Sequence, residues 1–249
     1  MPQIWFYSLA SVFVVSLISL SGVIALSLSM DRLKKILIFL VSFSAGAMLG
    51  DVFFHILPEL AEGQGLGGLT PFLFIGGIIL FFILEKYIHW THCHEPLSEK
   101  HPHHLAAMNL LGDGLHNFLD GLMIAASYII SLPLGIATTL AIALHEIPQE
   151  IGDFGVLLHA GFSKRKAIMF NLISAAMAII GTVIGLLLAE RSEAFAAAIL
   201  PVTAASFIYI ATADLIPELH KETKMSRSFV QLVSLLLGAA TMYLLTFME

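Results

Sequence analysis

The sequence predicts an all-α membrane protein of eight transmembrane helices with both termini outside. Three observations lead there. The 249 residues are 58% hydrophobic and only 12% charged, against roughly 25% charged in a soluble domain. Such a chain cannot cover its surface with polar groups, so its solvent is largely lipid. The apolar residues fall into eight stretches, each near the ~20 residues that cross a bilayer core. The basic residues alternate between successive connections, as the positive-inside rule requires.

The spans are expected at 4–27, 35–57, 70–89, 107–130, 134–159, 166–188, 194–216 and 228–248. The first has no basic residue before it and is longer than the apolar core of a signal peptide, so it reads as a membrane helix. Arg32, Lys34 and Lys35 mark the first connection; Lys86 and Lys100 the third; Lys164, Arg165 and Lys166 the fifth; Lys221, Lys224 and Arg227 the seventh. Of the 12 basic residues, only Arg191 falls in an even-numbered connection. The odd connections are therefore expected in the cytoplasm. Cys93 is the single cysteine, which excludes an internal disulfide. No nucleic-acid partner and no ATP-binding motif are expected.

Spans three and four are joined by a polar loop, 90–106, predicted to be cytoplasmic. The stretch HWTHCHEPLSEKHPHH holds His89, His92, His94, His101, His103 and His104 beside Cys93. Imidazole is the commonest metal ligand, and thiolate is another. The spacing fits no zinc finger, so loose metal capture is expected there.

Span two ends in DVFFHILPEL and span seven in ADLIPEL. Leu57-Pro58-Glu59-Leu60 echoes Ile216-Pro217-Glu218-Leu219, each with an aspartate upstream, Asp51 and Asp214. One copy faces out and the other in, as in an inverted repeat of spans 1–3 and 6–8 around a central pair, a 3+2+3 arrangement.

The chemistry lies in that central pair. Span four carries HNFLDG and span five HEIPQE. An ionisable side chain at the bilayer centre costs roughly 2.5–3.5 kcal/mol on insertion scales, so a group of them faces protein, water or an ion. His116 and Asp120 stand four apart on one face, with Asn117 beside them and Asp113 extending the stripe. His145 and Gln149 repeat that spacing, flanked by Glu146, Glu150 and Asp153. The tight turn at Ser131, Leu132 and Pro133 makes the spans antiparallel neighbours, which sets Asp120 level with His145 and His116 level with Gln149. Pro148 has no N–H, so the carbonyl of Leu144 loses its helix partner; a bound ion or a water could replace it, or the proline serves only to kink the helix for packing. Imidazole mixed with carboxylate suits Zn(II), and Fe, Mn or Cd ions are related substrates. His55 and Glu59 near the outer end of span two, with Asp214 and Glu218 near the inner end of span seven, are candidates for a transport path, as are Asp113 and Asp153.

HNFLDG followed by HEIPQEIGDF resembles the paired signatures of the ZIP (Zrt-/Irt-like) family of divalent metal transporters. The eight spans, the histidine loop and the repeat resemble that family too. The resemblance implies a binuclear centre between spans four and five. His116, Asp120, His145 and Gln149 would form the first site; Asn117, Glu146 and Gln149 would surround the second, with Glu150 nearby. The subfamily with the nearest motif reads HEIPHE, so Gln149 stands where a histidine is usual. Span six offers only Asn171 where some relatives carry an acidic ligand. The resemblance further implies that spans one, four, five and six move as a unit against the rest, that the substrate passes into the cytoplasm, that a homodimer forms, and that the cell (plasma or inner) membrane houses the protein.

Two alternatives share these residues. HEIPQ resembles the HExxH motif and Leu119-Asp120-Gly121 the LDG element of intramembrane zinc metalloproteases, with Glu146 as general base. Gln149, Pro148 and the reversed order of the two elements speak against it. A non-transporting metal sensor predicts binding without flux.

Overall fold

The computed structural model describes residues 2–25, 30–63, 65–93 and 102–248. They form eight helical runs. We label them α1 (2–25, tightened by a 3-10 turn at Ile18–Leu20), α2 (30–62), α3 (Thr70–Cys93), α4 (Pro102–Ile130), α5 (Leu132–His159), α6 (Lys164–Arg191), α7 (193–219) and α8 (Met225–Leu245). Five of these runs contain stretches long and apolar enough to cross a membrane, in α1, α2, α6, α7 and α8. In α4 and α5 the ionisable residues themselves lower the hydropathy. In α3, Pro71 to Leu84 contains no charged residue.

Local chemistry sets the ends. Ser131, Ser163 and Ser192 each adopt extended backbone before α5, α6 and α7, and their hydroxyls accept from Leu134 N, Lys166 N and Phe195 N. Each satisfies an N–H that the first helical turn leaves without a partner. The turn between α7 and α8 is fastened by Arg227, whose Nη1 donates to Glu222 at 2.8 Å. That bond holds the Glu222 carboxyl below its ordinary range. The connection predicted at 90–106 is shorter than expected: α3 continues to Cys93 and α4 is already helical from Pro102. His94 and His101 lie outside the described residues, as do the side chains of His89, His92, Cys93, His103 and His104.

The echo between spans two and seven is a backbone feature as well. A π-turn occupies Val52–Ile56 in α2 and Ile210–Leu215 in α7. In both, the last N–H before the proline bonds five residues back, Leu57 to the Val52 carbonyl and Ile216 to the Ala211 carbonyl. Pro58 and Pro217 lack the N–H that a regular helix would use next. A π-turn inserts one residue and turns the following face by about 100°.

Packing divides the helices into two groups. The most extensive pairs are α4 with α6 and α2 with α8. Helix α1 lies on α4, α5 and α6, while α3 lies on α7 and α7 on α2. The chief contact between the groups is α2 against α5. Glycines allow the two closest approaches. A Cβ on Gly121 would stand 1.9 Å from the Ala178 carbonyl oxygen, and one on Gly181 2.0 Å from that of Phe118. Gly46 and Gly238 do the same between α2 and α8. Thr182 Oγ1 donates to the Gly121 carbonyl at 3.0 Å across the first of these seams. Small residues let helix backbones meet where lipid provides no hydrophobic drive.

The burial pattern is that of a membrane protein. Phe72, Ile75, Phe82, Phe229, Leu236 and Leu244 are exposed, whereas Asp51, Asn117, Asp120, His145, Glu146 and Glu150 are buried. Ionisable groups enclosed among apolar helices need partners or ions.

Candidate metal centre

Four side chains meet between α4 and α5. The Nε2 atoms of His116 and His145 lie 3.0 Å apart. Asp120 Oδ2 is 3.3 Å from His145 Nε2 and 3.8 Å from His116 Nε2. Glu146 Oε1 is 3.4 Å from His116 Nε2 and 3.5 Å from His145 Nε2. One ligand atom from each residue falls within 4.8 Å of every other. A tetrahedral site with metal bonds of about 2.0–2.1 Å separates its ligand atoms by about 3.3 Å. The four atoms therefore already stand near the spacing that a zinc-sized ion imposes.

Each atom is also prepared for a cation. Asp120 Oδ2 and Glu146 Oε1 are buried and accept no hydrogen bond. A buried carboxylate oxygen without a donor is an unfavourable arrangement that a bound cation removes. His145 Nδ1 faces the Ala141 carbonyl at 3.2 Å. A carbonyl only accepts, so Nδ1 carries the proton and Nε2 keeps its lone pair for the cluster. His116 is the only one of the four with appreciable exposure, 18% of its side chain.

That exposure opens onto a cavity of about 350 Å³. Its wall includes His116, Asp113, Gln149, Asp153, Glu85 and Asp214, from α3, α4, α5 and α7. Met48, Val52, Ile124 and Ile142 are fully buried in the hydrophobic core.

The other sequence candidates fall into different places. Glu146, which the resemblance assigned to a second site, stands in the four-atom cluster. Gln149, which the resemblance shared between the two sites, lines the same cavity as His116. Asn117 Nδ2 donates to Asp113 Oδ1 at 2.8 Å and to its carbonyl at 3.1 Å. Glu150 reaches across to α6, where Asn171 Nδ2 donates to its Oε2 at 2.8 Å. Asp153 accepts from Asn109 at 3.1 Å. His55 pairs with Asp51 at 3.3 Å, and Thr138 Oγ1 donates to Asp51 at 3.0 Å. Asp51 is thus a buried polar group that the sequence reading used only as part of the echo; its spacing of four before His55 was the available signal. Glu59 is half-buried, and Glu218 lies exposed in an ion pair with Lys221.

The carbonyl that Pro148 frees is also accounted for. Ser44 Oγ, on α2, donates to the Leu144 carbonyl at 2.7 Å. A side chain fills the role that the sequence left to an ion or a water.

Comparison with known proteins places this arrangement. The family described as ZIP Zinc transporter matches residues 3–107 and 94–246, nearly the whole chain. The chain belongs to the ZIP family. Among ZIP relatives, it is 30% identical to zinc transporter zipt-7.1 of Caenorhabditis briggsae, over 99% of this chain and 80% of that protein. It is 37% identical to zinc transporter ZIP13 of Pongo abelii over 82% of this chain and 65% of that one. With zinc transporter SLC39A7 of Mus musculus the identity is 29%, over 88% and 64%. Several relatives are thus about half as long again as the part they share with this chain. ZIP proteins are integral membrane transporters and not enzymes, which removes the protease alternative.

Proposed function

We propose that the chain carries Zn(II), or a related divalent first-row ion, across the bilayer into the cytoplasm through a site between α4 and α5. What supports this is the cluster of His116, Asp120, His145 and Glu146 at the end of a polar-lined cavity, in a member of a zinc transporter family. All eight helices cross the membrane, both termini lie outside, and α1–α3 and α6–α8 form an inverted repeat. The paired π-turns before Pro58 and Pro217 favour that repeat.

The ion enters past Asp51, His55 and Glu59 and loses its water among the four ligands. It leaves down the cavity past Asp113, Asp153 and Asp214, with Glu218 at the rim. Asn117, Gln149 and Glu150 flank the cluster and receive the ion when it shifts toward the cavity. In the cytoplasm the loop residues His89, His92, Cys93, His94, His101, His103 and His104 collect it. The group α1, α4, α5 and α6 moves against the other four helices, and on this reading the cavity belongs to the inward-open arrangement. Selection needs binding tight enough to strip water and weak enough to release.

Flux into proteoliposomes with a trapped zinc-sensitive dye tests the proposal. Saturable flux is expected for the native chain and should vanish for His116→Ala and His145→Ala; Fe(II), Mn(II) and Cd(II) define the selectivity. Zinc binding without flux would make the protein a sensor and overturn the proposal.

A further inference from the structure

Pro148 stands between the ligand Glu146 and Gln149, and its missing N–H leaves the Leu144 carbonyl without a helix partner. That carbonyl belongs to the peptide leading into His145. Its donor, the Ser44 hydroxyl, comes from α2, in the other helix group. Ser44 is itself fully buried.

The hydroxyl has one proton and two acceptors at the same distance. Leu40, four residues back in α2, offers its carbonyl at 2.7 Å, and Leu144 of α5 offers its own at 2.7 Å. The two helices therefore stand in an unequal relation. If α5 slides along α2, Ser44 falls back on Leu40, whereas Leu144 loses its donor. The stripe of α2 that carries Ser44 continues with Met48, Asp51 and His55 outward and with Leu40 and Leu37 inward. None of these is a hydroxyl that could take over. Seven residues further along α2, Asp51 accepts from Thr138 of α5, in the same antiparallel register.

We propose that Ser44 is a positioning residue for translocation: its hydroxyl holds the freed Leu144 carbonyl and so fixes the depth of α5, with His145 and Glu146, against α2 in the cavity-open arrangement. It touches no ligand atom and does not set affinity. The proposal rests on the transport reading only for its flux arm; the accessibility arm stands without it.

The experiment uses the full chain with Cys93→Ser and a reporter, Leu115→Cys, on the cavity wall. A membrane-impermeant maleimide reports how often the cavity is open, with no metal present. Ser44→Ala is expected to slow labelling about fivefold or more, the scale set by leaving one buried acceptor unpaired. Zinc affinity should stay unchanged and the maximal flux should change, which a merely structural lesion in the site would not produce. Ser44→Thr keeps the hydroxyl and should behave as the parent. Pro148→Ala returns an N–H to Leu144, so in that background Ser44→Ala should have no effect on labelling. The proposal is overturned if Ser44→Ala labels like the parent, if its zinc affinity falls together with flux, or if its effect persists beside Pro148→Ala. Loss of zinc flux in every protein, parent included, would sink the transport reading while leaving the labelling result to judge Ser44.

Discussion

In the proposed transport, Gln149 is the residue that would set the balance between holding an ion and releasing it. It lines the same cavity as His116. An amide there is a neutral, weak ligand. Gln149→His would place a second imidazole on the exit side. Zinc should then bind tighter by roughly tenfold, the scale on which neighbouring groups tune metal sites, while maximal flux falls. Calorimetric titration beside dye-reported flux would check both, and unchanged affinity would show that Gln149 never meets the ion. The residue types of this site were legible in the sequence, because buried imidazoles and carboxylates in an apolar run have few other uses. Their grouping was less so. Helical spacing placed His116 with Asp120, but that Glu146 turns toward them depended on the rotation of α5, and spacing alone does not fix that rotation.

Among the elements, the α4–α6 seam determines whether the ligand helix keeps its place. Gly121 follows Asp120 directly, and its Cα side meets the α6 backbone. Gly121→Ala should destabilise the protein by about 1–3 kcal/mol, as overpacking does, because the neighbour is a carbonyl and not a flexible side chain. Thermal unfolding in detergent would read it. Gly76→Ala is the control, since nothing lies within 4 Å of the Cβ it would add; equal losses in both would refute the seam as the cause. Helix existence followed from hydropathy and was readable throughout. The π-turns were not. They shift the face of α2 after Val52, and across that turn His55 meets Asp51. Nor could the sequence announce that Ser44 would meet Leu144, since that contact joins positions 100 residues apart.

For the molecule as a whole, proton and metal compete for the same lone pairs. Imidazole binds a metal only when neutral, so flux should fall as acid protonates the ligands. Flux measured from pH 8 to 5 with matched buffers on both sides would test this; a flat profile would count against histidine ligation. The two-group packing was visible in the sequence only through resemblance, because which helices touch is a matter of three-dimensional shape that periodicity does not encode.

The ligand set has an electrical consequence. Two neutral imidazoles and two carboxylates contribute a charge of minus two, and a divalent ion brings plus two. The loaded cluster is then neutral, and the amides of Asn117 and Gln149 leave that sum untouched. A membrane potential of 100 mV acts on each net elementary charge that crosses it with about 2.3 kcal/mol, and on a neutral load with nothing. A monovalent ion in the same cluster would leave one negative charge to drag through the field, and a trivalent ion one positive. In the proposed transport the voltage across the bilayer would thus act on the valence of the load, while the empty cluster, two charges negative, meets the field on its return.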